Sequence, residues 1–333
     1  MAEVVSDCIS EVMDCLSIHG HQAGGYHVLS PDPWRLIWNN ERDGFVAFLE
    51  ARHAILAWRS PIARHRDRTE LLVRLLEHAK RSKKQLFAVL VDDETHKAGI
   101  AHGLLPTWVG TESFVDLTQW SLAGGRRQKV RWARNHAAGL GYQWREVFPL
   151  ESPADRDALH DVERAWKAER KARGTDSFQR TSFLELAEIR RYFACVLNTD
   201  VVAFCACTPM NSTAWYLQDV VRRPDAPRGA LEGAMALALD VLRDEGYLMA
   251  SNGPIPFWQP NDLGPDDHSL GPIGHRIVRF FDQQYGFDGI SQFRNKFSAD
   301  QLEPLYVLRS HRAIGPLAAA SLTRLMTRRL APG

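Results

Sequence analysis

The sequence predicts an α/β protein built as two similar halves with mixed sheets, and three observations lead there. A chain of 333 residues is long for one compact core and comfortable for two. Stretches rich in β-branched and aromatic residues alternate along it with amphipathic stretches of helical period. Two segments, HAAGLGYQWREV and VLRDEGYLMASN, each close a helix on a Gly-Tyr pair and open a strand, and each of those helices follows a strand hairpin.

Residues 1–25 read as a short helix and a Gly-rich join. His19, His21 and His27 have no Cys or carboxylate at ligand spacing, so no metal is expected. From Trp34 the first half alternates. Phe45 to Trp58 leans towards strand, Thr69 to Ser82 is a helix with Leu71, Leu72, Leu75, Leu76 and Ala79 on one face, and Leu86 to Val91 is a buried strand. Asp92 to Thr95 reads as a turn and Gly99 to Leu105 as the returning strand. A basic helix from Arg126 leads into a strand through Phe148.

After a polar break at Glu151 to Arg156 the order repeats. A helix carries Leu159, Val162 and Trp166, and a second helix is expected over Phe183 to Phe193. Val201 to Thr208 pairs as a hairpin with Trp215 to Val221, a helix over 231–245 follows, and Gly246-Tyr247 opens a strand. Helix, hairpin, helix and strand around a mixed sheet is the GNAT acyltransferase order, and two tandem copies account for the length. The expected divisions are 1–25 (helix and join), 26–150 (first GNAT-like domain), 151–310 (second, catalytic domain) and 311–333 (basic helix and tail).

Chemistry is expected where the 215–221 strand meets the 231–245 helix. Pro224 and Pro227 stop the strand, and the helix then presents Leu231, Ala234, Met235, Ala238 and Leu242 on one face, with Glu232, Asp240, Arg243 and Asp244 turned away. A helix N-terminus offers free N–H groups and the positive end of a dipole, which suit a phosphate or a developing oxyanion. Arg222, Arg223 and Arg228 add to that sign.

Composition narrows the partners. The formal net charge of +1 implies no global attraction to polyanions, although 33 of the 41 basic residues are Arg, which grips phosphate and carboxylate as a planar fork. Five cysteines (Cys8, Cys15, Cys195, Cys205, Cys207) form neither a metal nor a disulfide framework, and Cys205 and Cys207 read as core thiols, so a cytoplasmic protein is expected. No apolar run approaches the roughly 18 residues that span a bilayer.

WVGTESFVDLTQWSLAGGRRQKVRWARN, DVVRRPDAPRGALEGAM and YGFDGISQFRNKFSADQLEPLY resemble, in order and spacing, the C-terminal catalytic domain of the phosphatidylglycerol lysyltransferase (multiple peptide resistance factor) family. The resemblance covers roughly Phe45 to Tyr306. It implies a tandem GNAT fold that moves an amino acid from aminoacyl-tRNA to an acceptor, with no cofactor beyond the charged tRNA. The family's Gly-x-Glu falls on Gly110 and Glu112, its basic helix on Arg126 to Arg134 with Arg131 at the usual Arg, its Asp-x-x-Arg on Asp219 and Arg222, and its Lys-Phe on Lys296 and Phe297. The tetrad after Asp219 departs from the family as Val-Val-Arg-Arg, the later Arg-Tyr is Leu305-Tyr306, and no flippase-like membrane domain lies within these residues. The implied acceptor is therefore a small natural-product amine, hydroxylamine or hydroxyl.

The resemblance also implies roles. Asp219 accepts a hydrogen bond from the aminoacyl ammonium or the acceptor, Arg222 holds a terminal phosphate or keeps that carboxylate ionised, and Lys296 contacts phosphate. Structural alternatives are an Asp219–Arg222 salt bridge and a solvated Lys296. Glu112 reads an amino or hydroxyl group or caps a helix; Arg131, Asn252 and Tyr216 complete the expected substrate-binding set. Arg126, Arg127, Lys129, Arg134 and Arg228, with Trp132 interleaved, suit an RNA backbone and an unstacked 3′ base, or form a solvated helix face. The Pro-rich stretch 251–271 covers the acceptor pocket or is a plain insertion, and the tail after residue 311 is a candidate for peripheral membrane contact. The other functions in view are an acyl-CoA-dependent N-acyltransferase, a phosphatidylglycerol aminoacyltransferase at the membrane surface, and a non-catalytic tRNA or lipid binder.

Overall fold

A computed structural model describes residues 2–172, 182–258 and 287–327. In chain order the elements are β1 (Glu3–Val4), α1 (Ile9–His19), β2 (Arg35–Trp38), β3 (Phe45–Glu50), β4 (Ala54–Trp58), α2 (His65–Arg81), β5 (Gln85–Val91), α3 (Asp93–Ala101), β6 (Leu105–Asp116), α4 (Gln128–Gly139) and β7 (Gln143–Val147). They continue with α5 (Pro153–Ala172), β8 (Arg191–Leu197), β9 (Asp200–Asn211), β10 (Ala214–Arg222), α6 (Ala230–Asp244), β11 (Met249–Pro256), α7 (Phe287–Asn295), β12 (Gln301–Arg309) and α8 (Pro316–Thr327).

The repeat is visible in the pairing. β2, β3 and β4 run antiparallel, α2 crosses over, and β5 returns parallel to β4. β8, β9 and β10 do the same before α6 returns the chain to β11, parallel to β10. Each repeat then ends on a strand that crosses to the other: β6 pairs with β11, and β12 pairs with β5. Because β6 and β12 also pair with each other, the two mixed sheets run together as one, in the order β1-β2-β3-β4-β5-β12-β6-β11-β10-β9-β8-β7. β7 lies at the far edge beside β8, so the expected division near residue 150 follows the chain rather than a break in the sheet.

Helical spacing fixes what each crossover helix buries. Leu71, Leu72, Leu75, Leu76 and Ala79 of α2 pack with Phe48, Ile55 and Leu86 of the first repeat. Ala234, Met235, Ala238, Leu239 and Leu242 of α6 pack with Phe193, Cys205 and Cys207, whereas Leu159 and Val162 of α5 pack with Tyr192, Phe204 and Ala206. Adjacent strand residues thus divide between α6 and α5, which places these helices on opposite faces of the sheet. Each fully buried Leu contributes on the order of 1.5–3 kcal/mol. Cys205 and Cys207 are free thiols inside this core.

Two local expectations are corrected. The helix expected over Phe183 to Phe193 is absent: Leu186 adopts a left-handed φ of 60°, a short 3₁₀ turn covers Ala187–Ile189, and β8 begins at Arg191. Tyr192, Phe193, Cys195 and Val196 are buried on both faces of the sheet, so a strand satisfies them and an amphipathic helix does not. The turn and strand expected over 92–105 are instead α3, started by the Asp92 side chain, which accepts from Thr95 N at 2.8 Å. Gly99 is what lets α3 lie on the sheet, since a Cβ there would stand 2.5 Å from Leu308 Cδ1.

Candidate active site

Parallel strands joined by a crossover helix offer a crevice beyond their C-terminal ends. In the first repeat that crevice is closed. β4 and β5 stay paired through Trp58↔Val89, and past them Gln22 donates to Leu90 O at 3.2 Å and accepts from Ser60 N at 2.9 Å. In the second repeat β10 and β11 pair only over Ala214–Tyr216 with Met249–Ser251 and then part. Ladder irregularities fall at the same level in both strands, between Leu217 and Asp219 and between Ser251 and Gly253, as bulges do beside active sites.

Several predicted residues lie along the parted strands. Asn252 sits in the β11 bulge, 1% exposed, with neither amide atom hydrogen-bonded. More than nine in ten buried polar groups are satisfied, so an orphaned buried amide marks a place for something else. Tyr216 is buried beside it in the sheet, and burial pushes its phenol above the ordinary value. Gly253 has a left-handed φ of 89° and Tyr216 Cε2 lies 2.7 Å from where its Cβ would be, so only glycine fits.

Asp219 and Arg222 do not share a face. Alternation places Asp219 with Val221, which packs towards α5, and Arg222 with Val220, which packs towards α6. Asp219 accepts from the buried Arg190 guanidinium at 3.1 Å, while Arg222 donates to Ala226 O at 3.3 Å. Arg190 was hidden from sequence reasoning inside the mistaken 183–193 helix.

Arg222 instead joins Arg228 and Lys296 around a cavity of about 240 Å³ at the N-terminus of α6. Gly229, at φ 102°, caps the helix there, and a Cβ on it would stand 1.9 Å from Ala133 O of α4. Glu232, expected to face solvent, is buried in the first turn and binds Lys296 Nζ at 2.8 Å. Lys296 also stands 5.3 Å from the Phe293 ring centre, and the Arg228 guanidinium stacks 4.7 Å from the exposed Trp132 ring. Two cations that form no ion pair with a described residue, a third held by one buried carboxylate, and a helix N-terminus make this the candidate site for an anion. A larger cavity lies elsewhere; chemistry rather than volume places the candidate site here.

Other predicted residues go into the scaffold. Glu112 is 1% exposed, paired with Arg59 at 2.7 Å and accepting from Ala23 N and Ser251 Oγ. Arg127 is 3% exposed and bonds Phe297 O and Asp300. Arg126 is likewise engaged by Asp300 and the Ser298 and Ala299 carbonyls, Arg131 by the Leu122 and Gly124 carbonyls, and Arg134 by Asp240 at 3.3 Å. Lys129 stays exposed on α4. Of the stretch 251–271, residues 251–256 form the end of β11, and 259–271 lie outside the described residues, as do Phe280, Phe281 and Tyr285 of the aromatic-rich segment that precedes Lys296 in sequence. The tail's described part is α8, which docks Leu325 into the first repeat's core. No helix among the described residues is long and apolar enough to cross a membrane.

Fold and site together define an α/β protein of two repeats that share one mixed sheet, with a cation-lined pocket in the second repeat. The chain belongs to the family described as phosphatidylglycerol lysyltransferase, C-terminal, which it matches over residues 19–309. It is 20% identical over 308 residues to the phosphatidylglycerol lysyltransferase of Staphylococcus aureus (strain MRSA252), covering 90% of this chain and 36% of that protein. This chain thus spans about a third of that relative's length. Two solved structures share the fold. One is the C-terminal domain of an Agrobacterium fabrum protein provisionally named lysylphosphatidylglycerol synthetase, with TM-score 0.78, 18% identity, and 98% of this chain and 99% of that one covered. The other is L-PGS from Bacillus licheniformis, with TM-score 0.76, 17% identity and 96% of each chain covered.

Proposed function

We propose that this chain is an aminoacyltransferase that takes an amino acid from aminoacyl-tRNA, in the cytoplasm, and passes it to the amine, hydroxylamine or hydroxyl of a small natural-product acceptor. The observation that carries the reading is the convergence of Arg222, Arg228 and Lys296 on the N-terminus of α6, beside the parted ends of β10 and β11. Family membership supports the reaction class, because relatives bear the name phosphatidylglycerol lysyltransferase.

The chemistry asks for orientation more than for activation. An amino acid esterified to the tRNA 3′ end is already activated, so a neutral nucleophile attacks its carbonyl carbon directly. The new C–N or C–O bond forms, the ester C–O bond to the ribose breaks, and the proton lost by the nucleophile ends on the departing ribose oxygen. In this reading the three cations hold a phosphate near the 3′ end on the α6 side, and the Asn252 amide bonds the aminoacyl group. Asp219, on the opposite side of the sheet, accepts from the ammonium or from the acceptor. Donor and acceptor then meet across the opened sheet, and fixed geometry supplies the rate.

A second reading takes phosphatidylglycerol as the acceptor, and the names of the relatives favour it. One experiment separates the two. A pool of tRNAs charged with labelled amino acids is incubated with the protein and either phosphatidylglycerol vesicles or an amine and hydroxylamine library. Label moving to a small soluble product supports the first reading, and label moving to lipid supports the second. No protein-dependent discharge of any charged tRNA defeats both.

A further inference from the structure

A cavity among the described residues, remote in the sheet from the α6 junction, takes no part in the proposed reaction. It measures about 840 Å³, within the range of small-molecule sites, and opens where the end of α2, the start of β5, the end of α3 and the start of α8 come together. Its charge is one-sided: Lys80, Lys83, Lys84, His53, His102 and His311 line it, and no Asp or Glu does. Lys84 is occupied by Glu50 at 2.8 Å, whereas Lys80 and Lys83 are exposed and enter no ion pair with a described residue.

Two further polar features belong to the wall. Gly315, Pro316 and Leu317, the entry to the twelve-residue α8, form part of the wall, so the positive dipole end of that helix stands at the cavity. Gln85 also lines the cavity and donates Nε2 to Ala313 O at 3.3 Å. The remaining wall is aliphatic, from Leu76, Ala79, Leu104 and Leu317, and Leu317 is 63% exposed at the rim. Apart from its histidines the wall carries no aromatic ring, so it offers no indole or phenol platform for nucleic-acid bases.

We infer that this cavity is a second ligand site, for a phosphate ester that carries an aliphatic chain. The phosphate sits among Lys80, Lys83 and the N-terminus of α8, and the chain lies along Leu76, Leu104 and Leu317. The chemistry is shared by a soluble phosphorylated amphiphile and by a lipid headgroup, and binding measurements on the full chain distinguish them.

The probes are dihexanoyl phosphatidic acid below its micelle concentration, inorganic phosphate, dihexanoyl phosphatidylcholine, and vesicles of phosphatidylcholine with and without phosphatidylglycerol. The inference predicts that dihexanoyl phosphatidic acid binds at least tenfold more tightly than inorganic phosphate or the zwitterionic lipid. A Lys80→Gln, Lys83→Gln variant, which removes both charges without placing carboxylates at the C-terminal end of α2, loses at least tenfold of that affinity with a nearly unchanged melting temperature, since both side chains are exposed. Leu317→Asp weakens the amphiphile and leaves inorganic phosphate within twofold. Additional binding to phosphatidylglycerol vesicles, lost in the same double variant, identifies the source as a membrane lipid; its absence identifies a soluble ligand. Equal affinity for all soluble probes, or full affinity in the double variant, overturns the inference. So does displacement of the amphiphile by unacylated tRNA, which would make the surface a nucleic-acid contact.

Discussion

Lys296 Nζ lies 2.8 Å from Glu232 Oε1, tying the segment after α7 to the first turn of α6. A buried carboxylate at a helix N-terminus would by itself repel a phosphate, and the lysine cancels that charge while remaining at the mouth of the pocket. Lys296→Ala should therefore lower transfer at least about tenfold, equivalent to roughly 1.4 kcal/mol of transition-state stabilisation. Glu232→Gln, which removes the competing charge, should lower the constant for charged tRNA instead. Steady-state kinetics on both variants check this pair.

Asp219→Asn should fold, because the amide oxygen can still accept from Arg190, yet lose transfer by at least about tenfold. Arg190→Ala should cost stability as well, because it deletes a buried guanidinium that also bonds Phe183 O. Thermal midpoints measured beside turnover separate the two effects.

The basic helix α4 should divide into two kinds of residue. Lys129→Ala, if it removes a phosphate contact, should flatten the logarithmic salt dependence of tRNA binding by about 0.7 to 0.9. Arg127→Ala should leave that slope alone and lower the melting temperature, since its guanidinium is buried against Phe297 and Asp300. Binding titrations over a range of salt, paired with thermal melts, check both.

Stability should fall in acid through Asp92. Burial works to raise its pKa, but the hydrogen bond and charge of His21 and the Thr95 amide outweigh burial and hold the carboxyl well below its ordinary 3.8. A depressed folded value means the contribution is complete above that ordinary value and is lost as pH drops through the folded one. Asp92→Asn should lower the melting temperature near neutral pH and flatten its fall below about pH 4.

The α6 junction was legible in sequence because each part has a local cause. A β-branched run, two prolines, an arginine cluster and a helical stripe all stand within 30 residues of one another. The tandem order was legible through its two Gly-Tyr helix ends, although the exchange of β6 and β12 between repeats leaves no local trace. What sequence concealed was long-range burial. Gln22 closes the first repeat's crevice from 38 residues away, Glu232 turns inward because Lys296 meets it from 64 residues on, and Arg127 is consumed by a segment 170 residues distant. Spacing identifies a basic helix; only packing decides which of its arginines remain free.

The central claim is that the donor's phosphate sits where Arg222 and Arg228 flank the N-terminus of α6. The most direct test is the Michaelis constant of an Arg222→Ala, Arg228→Ala variant for aminoacyl-tRNA, measured beside its constant for the acceptor. The account predicts a rise of at least about tenfold for aminoacyl-tRNA, as loss of two charge-assisted contacts requires, with the acceptor constant within about twofold. An unchanged constant for aminoacyl-tRNA, or an equal rise for both substrates, would contradict it.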